Sequence, residues 1–368
     1  MPPLPYQKIV TVVGARPQFI KVAAVSRVLR EKREEILVHT GQHYDGNMSD
    51  IFFEELQIPR PDYSLGVGSG SHARQTAAMM VGIEDVLLKE KPDALMVYGD
   101  TNSTLAGAIA ASKLLIPVIH IEAGLRSFNM AMPEEQNRIL TDRVSRLLFC
   151  PTDTAVEHLR REGITRGVYQ VGDVMCDAVL HYSREMERVA PAVFFGRLTG
   201  LFGPVAPCAR WYLATVHRAE NTDSLEKIRA VLAAFEQLDA PVLFPVHPRT
   251  KGMVRELQAQ NAYRHILFVE PIGYLDMLYF TKNAVKVVTD SGGLQKEAYI
   301  LDTPCVTVRD QTEWVETLRG GHNVLVKPNE QDILDKVRHT AIDHTDRPPY
   351  YGTGEAARAI CHVLDESV

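Results

Sequence analysis

The sequence predicts an α/β protein built from two doubly wound parallel sheets. Short β-rich apolar runs alternate with helical patterns along most of the 368 residues, the alternation that builds parallel sheets. It fades between Ala190 and Arg210, a stretch rich in Pro, Gly and Phe, and restarts at Trp211. The chain therefore reads as two similar halves, with that stretch as a long loop at their junction. The strand-like runs also end in Gly, Asp, Glu or His, and the carboxyl ends of strands in an open parallel sheet face the ligand crevice.

Lys8 to Val13 is a first strand entering Gly14-Ala15-Arg16-Pro17. Gly14 permits a tight turn, and Arg16 and Lys21 fall near a helix start that favours an anion. The turn is not GxGxxG, so no dinucleotide fingerprint is present. Glu35 to Thr40 is a second strand, ending at Gly41-Gln42-His43-Tyr44-Asp45. A helix from about Asn47 to Leu56, an extended run and a Gly/Ser-rich loop over 66–71 follow. His72 to Lys89 has the spacing of an amphipathic helix.

The centre of this half is the stretch Val97 to Asp142. A strand over Ala94–Tyr98 stops at Gly99-Asp100, and Thr101 and Asn102 suit the cap of an Ala-rich helix running to Leu115. A strand over Pro117–Ile121 ends at Glu122-Ala123-Gly124. Pro133 opens the next helix, which carries Glu134, Glu135 and Arg138. Asp100 and Glu122 thus sit at strand ends on one rim, and Glu134 at a helix start whose free N–H groups favour negative charge. One acid after a strand is often only a cap or turn residue. Three in neighbouring units, with no lysine beside them in the sequence, point to acid–base chemistry. Strands over Arg146–Cys150 and Val168–Val171 and a helix over 176–189 end the half.

In the second half, strands ending at His217-Arg218, His247-Pro248-Arg249, Glu270-Pro271, Asp290-Ser291-Gly292-Gly293 and Arg309-Asp310 are followed by a short strand over Asn323–Val326 and two helices. Ser291-Gly292-Gly293 at a strand-to-helix turn is a phosphate-binding candidate, because glycines let backbone N–H groups approach an anion. Glu297, about a turn and a half further on, is within reach of a ribose hydroxyl pair. His217, beside Arg218, Glu220 and Asn221, reads as a site wall and as a group able to titrate near neutral pH. A cleft between the halves is the natural site.

Composition excludes several classes. A formal charge of −6 gives no reason to expect nucleic-acid binding. No apolar run approaches the roughly 20 residues that span a bilayer, and MPPLPYQK has no signal-peptide core, so a cytoplasmic protein without membrane insertion is expected. The five cysteines are scattered, with no CxxC pair, so no disulfide framework or zinc knuckle is expected. Cys150 and Cys305, in apolar runs, read as buried inert thiols. Thirteen histidines without HxH or HExxH spacing give no metal site, and no GxSxG elbow supports a covalent nucleophile.

These residues resemble the non-hydrolysing UDP-N-acetylglucosamine 2-epimerases. The resemblance runs from GARPQFIK (14–21) through HTGQHYD (39–45), YGDTNST (98–104), HIEAGLRS (120–127), PEEQNR (133–138), VGDVMCDA (171–178), HRAEN (217–221), HPRT (247–250) and DSGGLQKEA (290–298) to TEWVE (312–316). It implies a glycosyltransferase-B-like fold of two Rossmann-like domains, 1–174 with a returning helix over 353–368, and 175–352. It implies interconversion of UDP-GlcNAc and UDP-ManNAc by anti elimination of UDP to 2-acetamidoglucal and re-addition, with no cofactor and no metal, in a homodimer. By motif position, Asp100, Glu122, Glu134 and His217 match the catalytic set, without assigning which acid moves which proton. Arg16, Lys21, Arg138, Ser291, Gly292 and Gly293 match positions that hold phosphates or orient the sugar, and Glu297 matches the ribose-binding acid.

Three departures stand out. The usual TERPE segment reads Thr312-Glu313-Trp314-Val315-Glu316. Tyr44-Asp45 replaces an Arg-Glu pair in a loop that, with the region around His247, binds a second UDP-GlcNAc in allosterically activated members. Met277 stands where some members place an aromatic beside uracil. RDQTEWVE resembles a subgroup acting on UDP-2,3-diacetamido-2,3-dideoxyglucuronate, the alternative substrate. A hydrolysing 2-epimerase, a glycosyltransferase and a UDP-sugar-binding regulator are the remaining alternatives.

Overall fold

The computed structural model describes residues 5–42, 55–342 and 347–366, with the Arg16 side chain outside that description. His43, Tyr44, Asp45 and most of the helix expected from Asn47 also lie outside it. The chain divides into two compact units, Met1–Ala178 with Pro349–Val368, and Val179–Pro348.

The first unit holds a seven-stranded sheet: β1 (Lys8–Val13), β2 (Glu34–His39), β3 (Tyr63–Ser64), β4 (Ala94–Tyr98), β5 (Val118–Ile121), β6 (Leu147–Cys150) and β7 (Val168–Gln170). Its order is β3-β2-β1-β4-β5-β6-β7, and every pairing is parallel. Strands buried on both faces need continuous apolar runs, and β4 and β5 are buried at every position. The helix Asn102–Lys113 turns Ala106, Ala108, Ala110 and Ala111 inward. A Cβ on its Gly107 would lie 3.1 Å from Val97 Cγ1, so small residues are what let this helix close on the sheet. The helix Ala356–Glu366 packs on Arg16–Leu29. Asp177 caps it by accepting from the backbone N–H of Ala356 and Ala357 at 3.0 and 2.7 Å, satisfying donors the helix start leaves free.

The second unit holds a six-stranded sheet: β8 (Tyr212–Thr215), β9 (Val242–Pro245), β10 (Ile266–Val269), β11 (Val287–Thr289), β12 (Cys305–Val308) and β13 (Asn323–Val326). Its order is β10-β9-β8-β11-β12-β13, again parallel throughout. Its core is gathered around Phe235, Phe244 and Phe268.

The stretch from Ala190 to Arg210 is not the plain loop expected. It contains the helix Pro191–Gly196. There Phe194 stacks on Tyr279 at 3.8 Å, and Phe195 meets Trp211 edge-on at 5.4 Å. Six residues are too few to show a helical period, so aromatic burial fixes what periodicity leaves blank.

Strand order reverses once in each sheet, at β1 and at β8. In such sheets the ligand crevice opens beyond the strand ends at the reversal. In the first unit it is flanked by the turns after β1 and β4, and in the second by those after β8 and β11. Gly14, after β1, is obligatory on steric grounds: a Cβ there would lie 2.1 Å from Thr40 Oγ1 and 2.2 Å from Ser103 Oγ.

Candidate functional site

In the first unit the turns after β4 and β5 bring Asp100 and Glu122 to the expected rim. Glu122 is 8% exposed and sits at φ +69°, a left-handed conformation that costs a non-glycine residue about 1–3 kcal/mol and clusters at functional sites. Its Oε2 forms an ion pair with Lys21 Nζ. Gly99, at φ +62°, makes room for that pair: a Cβ there would lie 3.1 Å from Glu122 Oε2 and 3.3 Å from Lys21 Nζ. The acids therefore do have cationic partners, contrary to the expectation from the neighbouring sequence; Lys21 arrives from 101 residues away.

Asp100 accepts from Arg138 Nη2 at 2.5 Å, and Arg138 Nη1 also donates to Glu135 Oε2 at 2.9 Å. The Asp100 carboxyl is raised: burial, with Glu122 adding to it, outweighs the charges of Arg138 and Lys21. This is one environment pushing an acid toward its protonated form beside a second acid held by a lysine. Glu134 lies in the first turn of the helix Pro133–Val144 and is exposed.

Several residues under this rim went unsingled in the sequence. Glu135 is 1% exposed and accepts from Ser127 N, Ser127 Oγ and Phe128 N at 2.8, 2.9 and 2.9 Å, fixing the loop between β5 and the helix. Gln18 bridges the turns after β1 and β4, accepting from Gly14 N at 2.8 Å and donating to the Tyr98 carbonyl at 2.8 Å. Only the capping-box spacing of Gln18 hinted at such a role.

In the second unit, Asp290 at the end of β11 is fully buried. It accepts from the backbone N–H of His217 at 3.0 Å and of Arg218 at 2.9 Å, and from Asn221 Nδ2 at 3.0 Å, binding the turn after β8 to the turn after β11. The His217 ring lies 3.5 Å from Asp290 through Nδ1 and stacks on the exposed His247 ring at 5.3 Å. Burial lowers the His217 pKa below its usual value, with Arg218 and Arg249 adding to the effect and Asp290 opposing it, so the imidazole is neutral at pH 7.

Ser291 caps the helix Gly292–Ile300 by accepting from Leu294 N at 3.4 Å. A Cβ on Gly292 would lie 2.4 Å from Glu313 Oε1. Burial would raise Glu313, but Arg309, 2.8 Å away, and Arg218 hold it below the usual range. Gly293 is half-buried in the first turn of the same helix. Glu297 is 6% exposed, and burial pushes its carboxyl up to about 8 against the charge of Lys296. Lys296 itself lies over the Trp314 ring at 4.1 Å, so the TEWVE departure has a local partner. Met277 is half-buried on the helix Tyr274–Lys282.

Cys150 and Cys305 are buried, and desolvation pushes both thiols up to about 12. Among the described residues, no three His, Cys, Asp or Glu are grouped to hold a metal ion, and no helix is long and apolar enough to cross a membrane.

A family model described as UDP-N-acetylglucosamine 2-epimerase matches residues 27–365. A Methanococcus maripaludis protein named UDP-N-acetylglucosamine 2-epimerase homolog is 52% identical over 97% of this chain and 99% of its own length. A Pseudomonas aeruginosa UDP-2,3-diacetamido-2,3-dideoxy-D-glucuronate 2-epimerase is 48% identical over 97% and 99%. The structure of Methanocaldococcus jannaschii UDP-GlcNAc 2-epimerase in complex with UDP-GlcNAc and UDP is 40% identical, covers 98% of this chain and 100% of that one, and superposes with a TM-score of 0.86. The likeness spans both units, and the fold is the glycosyltransferase-B-like pair of parallel α/β domains expected.

Proposed function

The chain belongs to the UDP-N-acetylglucosamine 2-epimerase family, and from that premise we propose that it interconverts UDP-GlcNAc and UDP-ManNAc. The observation that carries the chemistry is the pair of carboxylates at neighbouring strand ends, Asp100 raised and Glu122 paired with Lys21. Inversion at carbon-2 of an acetamido sugar needs one group to take a proton from one face and another to return it to the opposite face. Glu122, ionised beside Lys21, is the base that takes the carbon-2 proton. The C–H electron pair becomes the C1=C2 double bond of 2-acetamidoglucal, and the C1–O pair leaves with UDP. A β-phosphate oxygen of UDP then re-adds to carbon-1, and Asp100 delivers a proton to the other face of carbon-2. In the reverse direction the two acids exchange roles.

UDP leaves carrying charge, which needs donors already in place. We assign this to His217, with the Ser291-Gly292-Gly293 turn and Arg16, Lys21 and Arg138 holding phosphates or sugar. Glu297 takes the ribose hydroxyls, Glu134 supports the proton transfers, and His247 backs His217. No cofactor enters this scheme. We further assign the enzyme to the cytoplasm, where UDP-sugars are made, as a homodimer; light scattering giving the mass of one 41.1 kDa chain would overturn the dimer.

A second substrate stays open on one observation. A relative acting on the diacetamido-glucuronate is 48% identical, between a UDP-N-acetylglucosamine 2-epimerase homolog at 52% and a UDP-N-acetylglucosamine 2-epimerase at 42%. Proton NMR in deuterated water, with each UDP-sugar in its own tube, tests both. UDP-ManNAc carrying deuterium at carbon-2 supports the first reading. Turnover of the uronate alone moves the assignment to the second. Free ManNAc would make the protein a hydrolysing enzyme, and silence with both substrates would overturn the epimerase reading.

A further inference from the structure

We infer that His120, buried beneath the two acids, is a positioning residue that acts as a doubly protonated imidazolium. It lies on β5 and is wholly buried. Its Nδ1 is 2.7 Å from Asp142 Oδ1, and its Nε2 is 2.8 Å from the carbonyl oxygen of Gly99. Neither neighbour can donate. A carbonyl oxygen has no hydrogen, and the Asp142 carboxylate already accepts from Arg126 Nη1 at 2.7 Å and from Gly124 N at 3.2 Å. Burial would raise Asp142, but His120 and Arg126 hold it below the usual carboxylate range. A neutral imidazole has one donor and one acceptor nitrogen. In this pocket it would turn a lone pair onto one of the two oxygens, an arrangement that a buried site penalises.

The charges around the ring agree. Asp142 meets the ring from the helix Pro133–Val144; Arg126, on the loop after β5, joins through Asp142, and Glu162, just past the helix Asp153–Arg161, joins through Arg126. Arg126 grips Glu162 with two hydrogen bonds of 2.6 and 2.9 Å. Cys150 on β6 is the other titratable neighbour of Asp142, and its thiol is pushed up and uncharged. With His120 charged, His120, Arg126, Asp142 and Glu162 sum to zero, with the half-buried Glu162 at the edge of the cluster; with His120 neutral they carry one negative charge.

The consequence falls on the acids. The carbonyl that His120 holds belongs to Gly99, the residue before Asp100. The N–H that Asp142 holds belongs to Gly124, two residues after Glu122. One buried charge cluster thus fixes the backbone beside both acids and supports the left-handed conformation of Glu122. This rests on the reading of Asp100 and Glu122 as the acid–base pair.

The first test needs no turnover. Nitrogen-15 NMR of the histidine-labelled protein at pH 7.5, with the His120 signals assigned by their loss in His120→Asn, should show hydrogen on both ring nitrogens. One bare nitrogen would overturn the proposal. The second test separates the two hydrogen bonds. His120→Gln places an amide N–H near the Nε2 position, facing Gly99, whereas His120→Asn places it near Nδ1, facing Asp142. His120→Asn should lower kcat about 10–100-fold while leaving KM within about twofold, and His120→Gln should recover most of that loss. Equal losses in both variants, or a loss carried by KM, would overturn it. An inactive wild type with a doubly protonated His120 would instead defeat the epimerase reading and leave the protonation intact.

Discussion

The two units share one topology and use it differently. Each sheet reverses its strand order once, and Asp100 in the first unit and His217 and Ser291 in the second lie at the turns beside that reversal, with Glu122 one strand further out. In the first unit those turns present charged side chains held by other charged side chains: Lys21 on Glu122, and Arg138 on Asp100 and Glu135. In the second unit the central carboxylate, Asp290, turns inward and holds backbone N–H groups of the turn after β8. That leaves the glycine-bearing helix start and the His217 ring at the turns proposed to meet UDP. Parallel sheets supply the location of a site, and the side chains at the turns decide its work. On the proposed assignment, the acids of the first unit move the protons, and the glycine turn of the second holds the nucleotide.

The sharpest way to break this division is to neutralise the acids. Asp100→Asn and Glu122→Gln keep shape and remove proton transfer. Each should lower kcat by about 10²–10⁴-fold, the contribution typical of a general acid or base. UDP affinity measured by calorimetry should stay within about twofold in either variant. A large loss of UDP affinity with turnover preserved would reverse the roles of the units.

The matching change in the second unit is Gly292→Ala. The added Cβ meets Glu313 Oε1 at 2.4 Å, a clash at the turn proposed for phosphate. The Glu313 carboxylate must swing aside, and the methyl narrows the backbone approach proposed for phosphate, which should weaken the Kd for UDP by about 5–10-fold, roughly 1 kcal/mol. The carbon-2 exchange rate at saturating substrate should be little changed. If kcat falls and Kd does not, the second unit has a chemical role that the division denies it.

Much of this was legible in the sequence, for a physical reason. A buried parallel strand is a short apolar run, and its turn is short and polar, so strand ends and the residues beyond them stand out. Asp100, Glu122, His217 and Ser291 were found in that way. What was not legible is whatever joins distant segments. Lys21 and Glu122 are 101 residues apart, and no local pattern links them, which is why the acids looked partnerless. His120 sits inside an apolar strand and carries no local signal, and its meaning appears only with Asp142, 22 residues on. Asp290 was read as part of a turn, and its backbone partners lie 72 and 73 residues earlier. The TEWVE departure was visible, but not its pairing with Lys296.

Glu297 gives the smallest of these effects and sharpens the contrast between the units. In the first unit Asp100 and Glu122 each pair directly with a cation, whereas Glu297 has burial opposed by the charge of Lys296 and is raised from 4.5 to about 8. An acid raised in the folded state keeps a proton that the unfolded chain has already lost. Stability therefore falls as pH climbs from about 4.5 to about 8, and the loss is complete above that window. Glu297→Gln has no proton to lose. Its melting temperature should match that of the wild type near pH 4 and exceed it at pH 9, by about 2–4 °C for each kcal/mol recovered. Bound UDP should shrink the difference if the ribose hydroxyls meet this carboxyl, because the ligand then satisfies the charged form. An offset constant from pH 4 to 9 would mean that Glu297 titrates as an ordinary carboxylate, and burial would then not set its protonation.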